Sequence, residues 1–194
     1  MVVEQDIKEA LMQLLDTKAY NKISVNDIVN RCGIHRNTFY YHFENIPDLV
    51  RKIALDWVDD TVRKNSTPET RLMPYYAPMI PQALDRKERI LNVYHSVDKN
   101  VSTAFIKNVA DYAVGRYFEQ ANVDPPLSDE DLRAMRHYGR SLFTGILIDW
   151  LDNDMNYDLL DIMNRTHTLL WGGKGEMPLY RIVPEREAAA DNPA

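Results

Sequence analysis

The chain has a single cysteine, Cys32, among its 194 residues. No disulfide can form within it, which suits a reducing compartment. Glycine is scarce as well, at seven residues, and few stretches alternate Val, Ile or Thr with polar residues. Both shortages argue against a sheet protein. No apolar run approaches the roughly 20 residues of a membrane span. The opening MVVEQDIKEA lacks the basic-then-apolar layout of a secretion signal. Together these features point to a cytoplasmic protein with no membrane partner, whose sequons at Asn65, Asn100 and Asn164 carry no sugar. Positive charge is also in deficit, with 23 Lys and Arg against 29 Asp and Glu, net −6. Residues 1–64 hold nine basic and ten acidic side chains, net −1, and the remainder holds 14 and 19, net −5. A nucleic-acid role would have to rest on a local patch.

Metal and catalytic constellations are missing too. His95 with Asp98, and His137 with Asp131, have no third ligand at a recognisable spacing. Gly172-Gly173-Lys174-Gly175 lacks the strand and helix that flank a phosphate loop and reads as a helix stop. No metal, cofactor or enzymatic activity is expected.

What the chain has is helical periodicity. Ile7, Leu11, Leu14 and Leu15 make one apolar face of a helix over 4–18. Ser24, three residues before Asp27, forms a capping box for a second helix with Val25, Ile28 and Val29 inward, closed at Gly33. A short third helix spans about 35–41. Asn45, with Pro47 and Asp48 in the first turn, starts a fourth, with Leu49, Val50, Ile53, Ala54 and Trp57 inward. The polar RKNSTPE, residues 63–69, marks the end of a first domain, 1–64.

Residues 65–175 form a second helical domain. Pro74, Pro78 and Pro81 break any helix near its start. A helix is expected at 85–97. A second, at 101–120, is apolar nearly all round and therefore buried. A third begins at Ser128, and a last one begins at Asn156. The tail, 176–194, is rich in Pro, Ala and Glu and is expected to be flexible.

The chemistry concentrates in RCGIHRNTFYYHF, residues 31–43. A short polar helix after a glycine turn suits a helix-turn-helix, whose second helix enters the major groove. Arg36 can donate twice to a guanine edge. Asn37 and Thr38 can reach base edges. Tyr40, Tyr41 and His42 can donate to phosphate oxygens. Phe39 and Phe43, four apart, face the domain's own core.

The run ISVNDIVNRCGIHRNTFYYHFENIPDLVRKI resembles the DNA-binding domain of the TetR family of bacterial transcriptional regulators. That resemblance implies an all-α homodimer, with an N-terminal three-helix helix-turn-helix domain and a C-terminal helical domain for dimerisation and effector binding. Carried over by position, the DNA-contacting set is Ser24, Val25, His35, Arg36, Asn37, Thr38, Tyr40, Tyr41 and His42. His35 departs from the small hydroxyl residue more usual at that position. LFTGILIDWLDND, residues 142–154, looks like one branch of the family, sometimes found near dihydroxyacetone kinase genes.

The expected function is a sequence-specific regulator, a repressor that leaves a palindromic operator when a small effector binds. The alternative is a DNA-bound adaptor whose C-terminal domain binds a protein and no small ligand. Tyr75, Tyr76, Tyr94, His95, Tyr112, Arg116 and Tyr117 are candidates to line an effector pocket. Leu132, Met135, Leu142, Phe143, Ile146, Trp150, Leu160, Met163 and Leu170 are candidates for a four-helix dimer interface.

Overall fold

The computed structural model describes residues 2–65, 75–120 and 127–171, in two units that divide at residues 157 and 158. No strand occurs among the described residues. No described helix is long and apolar enough to cross a membrane.

Helix α1, Val2–Leu15, buries Ile7, Ala10, Leu11, Leu14 and Leu15. A 3-10 turn, Tyr20–Lys22, leads to α2, Val25–Cys32. The expected capping box is present. The Asp27 N–H donates to Ser24 Oγ at 3.2 Å, and the Ser24 N–H donates to the Asp27 carboxylate at 2.7 Å. Gly33 closes the helix at φ +69°, where a side chain would be strained. Helix α3, Arg36–His42, starts one residue later than the sequence suggests, because His35 is extended and its side chain makes no capping bond. Helix α4, Ile46–Asn65, begins where the Asp48 N–H donates to Asn45 Oδ1 at 2.8 Å. Ile7, Leu11, Ile28, Phe39 and Leu49 are fully buried in one core shared by these four helices. The Cys32 thiol donates to the Asp6 carbonyl at 3.5 Å, and burial pushes its pKa up. It serves as a small packing residue.

Pro74 lies outside the described residues, while Pro78 precedes a short helix and Pro81 sits in its first turn. Helix α5, Met79–Leu84, is six residues long, and α6 runs Lys87–His95, inside the expected 85–97. Helix α7, Lys99–Gln120, is not buried all round. It buries Ser102, Ile106, Ala110, Ala113, Val114 and Tyr117, while Val101 is 59% exposed, with Ala104 and Lys107 also exposed. Its neighbours therefore leave part of the first half open. Helix α8, Asp129–Asp152, pairs with α7 more extensively than any other two elements do.

Two non-glycine residues after α8, Asp154 and Met155, both have φ +53°. Each costs of order 1 kcal/mol. The turn is held by the Met155 N–H on the Trp150 carbonyl at 2.8 Å and by the Trp150 indole N–H on the Tyr157 carbonyl at 3.1 Å. The tight turn uses the residues that the sequence pattern would have given to a helix from Asn156. In the second unit, α9, Leu159–Trp171, therefore starts later, where the Asp158 carboxylate accepts the Asp161 N–H at 2.9 Å.

The boundary read at residue 64 falls at the end of α4. That helix belongs to both parts. Leu49 faces the N-terminal core, while Val58, Thr61 and Val62 are buried further along, where α4 packs on α7.

Candidate nucleic-acid interface

Helix α3 has two opposed faces. Phe39 is 0% exposed and Phe43 3%, with ring centroids 5.8 Å apart. On the other side His35, Arg36, Asn37 and Tyr40 are exposed, and Tyr41 is 85% exposed. Thr38 and His42 are half-buried at the margins. A seven-residue helix is marginal by itself; two buried phenyl rings hold it in place. Phe39 also meets Tyr40 edge-on at 5.5 Å, so the core ring orients the first exposed one.

The exposed groups are partly organised. The Arg36 guanidinium lies 5.8 Å from the Tyr40 ring centroid and donates to its hydroxyl at 3.2 Å. The Tyr41 ring stands edge-on to His42 at 5.0 Å. From residue 30 to residue 43 there is no carboxylate, while Arg31 and Arg36 add two positive charges. That stretch is locally net +2 in a chain of net charge −6. Ser24 is exposed and Val25 half-buried at the start of α2.

Asp27 anchors this start. The Lys18 ammonium, 2.7 Å away, and then the Ser24 hydroxyl and N–H hold its carboxyl well below the usual range. A lowered folded-state pKa contributes stability above the ordinary carboxylate value, and that stability is lost as pH falls through the shifted one. The melting-temperature gap between parent and Asp27→Asn is therefore expected to narrow once pH drops below about 4. A gap constant from pH 7 to 3 in thermal scans would contradict this role.

The seven pocket candidates lie in different surroundings. Tyr75 and Tyr76 are buried, with hydroxyls on the carbonyls of Val62 at 3.1 Å and Ala113 at 2.5 Å. Tyr117 packs against Tyr75. Tyr94 donates to Asp152 at 2.6 Å, and the exposed His95 pairs with Asp154 at 2.7 Å. Tyr112 and Arg116 alone among the seven line a cleft of about 380 Å³ between α4, α7 and α8. There the Tyr112 hydroxyl lies 2.9 Å from both Asp59 carboxylate oxygens, and Arg116 Nε donates to Asp59 at 2.8 Å. No group of three or more His, Cys, Asp or Glu able to hold a metal occurs among the described residues.

The dimer-face candidates also divide. Trp150 is buried within the subunit, and Phe143 meets Tyr76 edge-on at 5.7 Å. Leu132, Met135, Leu142 and Ile146 on α8, and Leu160 and Met163 on α9, are half-buried. The Leu170 side chain lies outside the described residues, as do Gly172–Gly175 and the tail. Exposed apolar side chains that periodicity did not single out are Tyr138 on α8 and Ile162 and Leu169 on α9.

Sequence reasoning also missed the groups that tie the reading domain to the rest. Asn92 of α6 donates to the carbonyls of Leu15 and Lys18 at 2.9 Å and accepts the Tyr20 N–H at 2.9 Å. Arg89 pairs with Asp16. The Trp57 indole N–H donates to Gln82 at 3.0 Å, under the Arg86 guanidinium. These partners lie 25 to 77 residues apart in the chain, and no local pattern announces them. Arg136 carried one signal, a glycine inside a helix opposite it. A Cβ on Gly115 would sit 2.8 Å from Arg136 Nη2.

Residues 7–53 match the family described as bacterial regulatory proteins, tetR family. Residues 70–172 match the one described as transcriptional regulator C-terminal region. A curated relative, the HTH-type dhaKLM operon transcriptional activator DhaS of Lactococcus lactis subsp. lactis (strain IL1403), is 26% identical over 111 residues. The match covers 55% of this chain and little more than half, 56%, of that protein. Among solved structures, the dihydroxyacetone kinase operon activator DhaS superposes with a TM-score of 0.62 at 18% identity, covering 88% of this chain and 95% of that one. The fatty acid degradation regulator FadR from Bacillus halodurans gives 0.51 at 19% identity, covering 90% and 97%. At these identities the likeness is one of fold.

Proposed function

Since the chain belongs to the TetR family of DNA-binding transcriptional regulators, we propose that it acts as a homodimer reading a palindromic operator, as a repressor released by a small-molecule effector. The observation that carries this reading is α3 itself. Guanidinium, amide, hydroxyl and imidazole groups face outward, and Phe39 and Phe43 are locked inside. Arg36 and Asn37 are the base readers in this proposal, and Tyr40, Tyr41 and His42 bind phosphates.

Pairing is proposed to use α8 and α9, each by itself: α8 leaves Tyr138 exposed, and α9 leaves Ile162 and Leu169 exposed. Gly145, mid-way along α8, adds to this, since a Cβ there would meet nothing within 4 Å. Glycine at an exposed helix interior costs about 1 kcal/mol relative to alanine. Close approach of a second backbone gives it a purpose.

Effector coupling would run through α4. Asp59 on that helix is held by Tyr112 and Arg116 of α7, and Trp57 by Gln82. An effector acts by binding one arrangement of these contacts better than another. The curated relative is named an activator, which favours a second reading. In it the bound dimer assists transcription by presenting its C-terminal helices to a protein partner and takes no small ligand. In-vitro transcription from a promoter carrying the selected operator separates the two by its sign.

The test of DNA reading is selection from randomised duplex DNA. It is expected to return two inverted half-sites one helical turn apart, about 34–36 Å. Arg36→Ala should weaken binding to the selected site by about 1–3 kcal/mol and relax one position per half-site. Parent-like binding by that variant would sink the assignment.

A further inference from the structure

We propose that the cleft between α4, α7 and α8 binds a small organic anion, a carboxylate or phosphate head on a short apolar stem, with Arg136 as its anchor. The proposal rests on the effector-regulated reading above for its consequence, but the site stands on its own geometry.

Three arginines line the cleft, Arg51, Arg116 and Arg136, against two acids, Asp111 and Glu119. The lining is thus net positive in a chain of net charge −6. The acids are already committed. Glu119 lies 2.6 Å from Arg116, and Asp111 faces Arg140 at 3.7 Å. Arg51 is paired with Asp48 at 2.6 Å. Arg116 also holds Asp59. Arg136 differs from its neighbours in having no carboxylate, carbonyl or hydroxyl partner among the described residues, although it is half-buried.

A guanidinium partly withdrawn from water and unpaired is costly unless an anion joins it. Gly115 leaves room for the guanidinium, since a Cβ there would sit 2.8 Å from Arg136 Nη2. The guanidinium therefore lies close against the α7 backbone and lines the cleft. Leu55, Phe105 and Val109 supply an apolar wall for a stem. The volume, about 380 Å³, sits at the small end of ligand sites. A guanidinium fork matches both carboxylate and phosphate oxygens.

The geometry also supplies a route to α4. An anion seated beside Arg136 competes with Asp59 and Glu119 for Arg116. Drawing Arg116 away from Asp59 would loosen the tie between α7 and the helix that carries the reading domain.

The test uses the full chain and titration calorimetry with three probes: butyrate, butyl phosphate and uncharged butan-1-ol. The parent is expected to bind both anions and not the alcohol, and the stronger of the two identifies the head group. Arg136→Met keeps the length and apolar stem but removes the charge. It should weaken both anions at least tenfold. Gly115→Ala favours the helix, so it will fold, and it displaces the guanidinium. It should weaken them to a lesser degree. No anion binding by the parent, or anion binding unchanged in both variants, overturns the proposal. The same samples titrated with selected operator DNA keep the two ideas apart. Anion binding that leaves DNA affinity unchanged upholds the site and removes the effector reading. A neutral compound that releases DNA, with the parent chain binding neither anion, upholds the effector reading and overturns the site.

Discussion

Phe39→Ala is expected to cost about 3–5 kcal/mol, the usual penalty for emptying a fully buried aromatic site. Phe39 is 0% exposed and sits among Ile7, Leu11, Ile28, Phe43 and Leu49 in the N-terminal core. For a chain of this length each kcal/mol moves the melting temperature by roughly 2–4 °C. The loss is therefore roughly 6–20 °C, read in a thermal scan. A second consequence is specific to this residue. With seven residues, α3 has too few internal hydrogen bonds to persist once unpinned. Operator affinity should fall in Phe39→Ala even at temperatures where α7 and α8 remain folded. Tyr41→Ala, at an 85% exposed position, should by contrast leave the melting temperature within a few degrees and affect DNA binding alone. If Phe39→Ala melts within about 2 °C of the parent, α3 is not held in the way described.

The helix-turn-helix was legible because each of its devices is local. Ser24 finds Asp27 three residues away, Gly33 ends α2 by its own backbone freedom, Asn45 finds Asp48, and Phe39 and Phe43 are one turn apart. Sequence neighbours are spatial neighbours there, so pattern and structure carry the same information. His35 marks the one imperfection. It occupies a cap position without capping, which leaves α3 still more dependent on its two phenyl rings.

Beyond residue 65 the same reasoning finds helices but not what covers them. Periodicity cannot tell that α7 buries Ile106, Ala110 and Val114 but leaves Val101 and Ala104 exposed, because the difference lies in where α4 and α8 meet it. It cannot tell that Met155 adopts positive φ beside Asp154, since methionine is not a residue that signals such a turn. The polar ties of Asp59, Asn92 and Gln82 are set by tertiary approach between helices. They decide how α4, and through it the reading domain, is held by the rest of the unit. This is the level at which the proposed effector would act, and the level that composition and spacing leave blank.

Tyr76 shows what is at stake in that distinction. An aromatic at helical spacing in the second domain reads equally well as a pocket wall or as core. In the structure it is 6% exposed, its hydroxyl donates to the Ala113 carbonyl at 2.5 Å, and its ring lies edge-on to Tyr75 and Phe143. Burial above all drives its pKa well above the ordinary tyrosine value, so the hydroxyl stays a donor throughout the physiological range. Tyr76→Ala should therefore behave as a core truncation, costing about 3–5 kcal/mol and a melting-temperature drop of the same order as Phe39→Ala. Tyr76→Phe keeps the ring and removes one hydrogen bond whose acceptor remains in the α7 ladder, so it should cost only about 1 kcal/mol. A wall residue would give the opposite pattern. Tyr76→Ala would keep the parent's melting temperature, and only the effector concentration needed to release operator DNA would shift. Thermal scans beside DNA-release titrations on the two variants decide between them. An unshifted melt for Tyr76→Ala would return Tyr76 to the pocket wall.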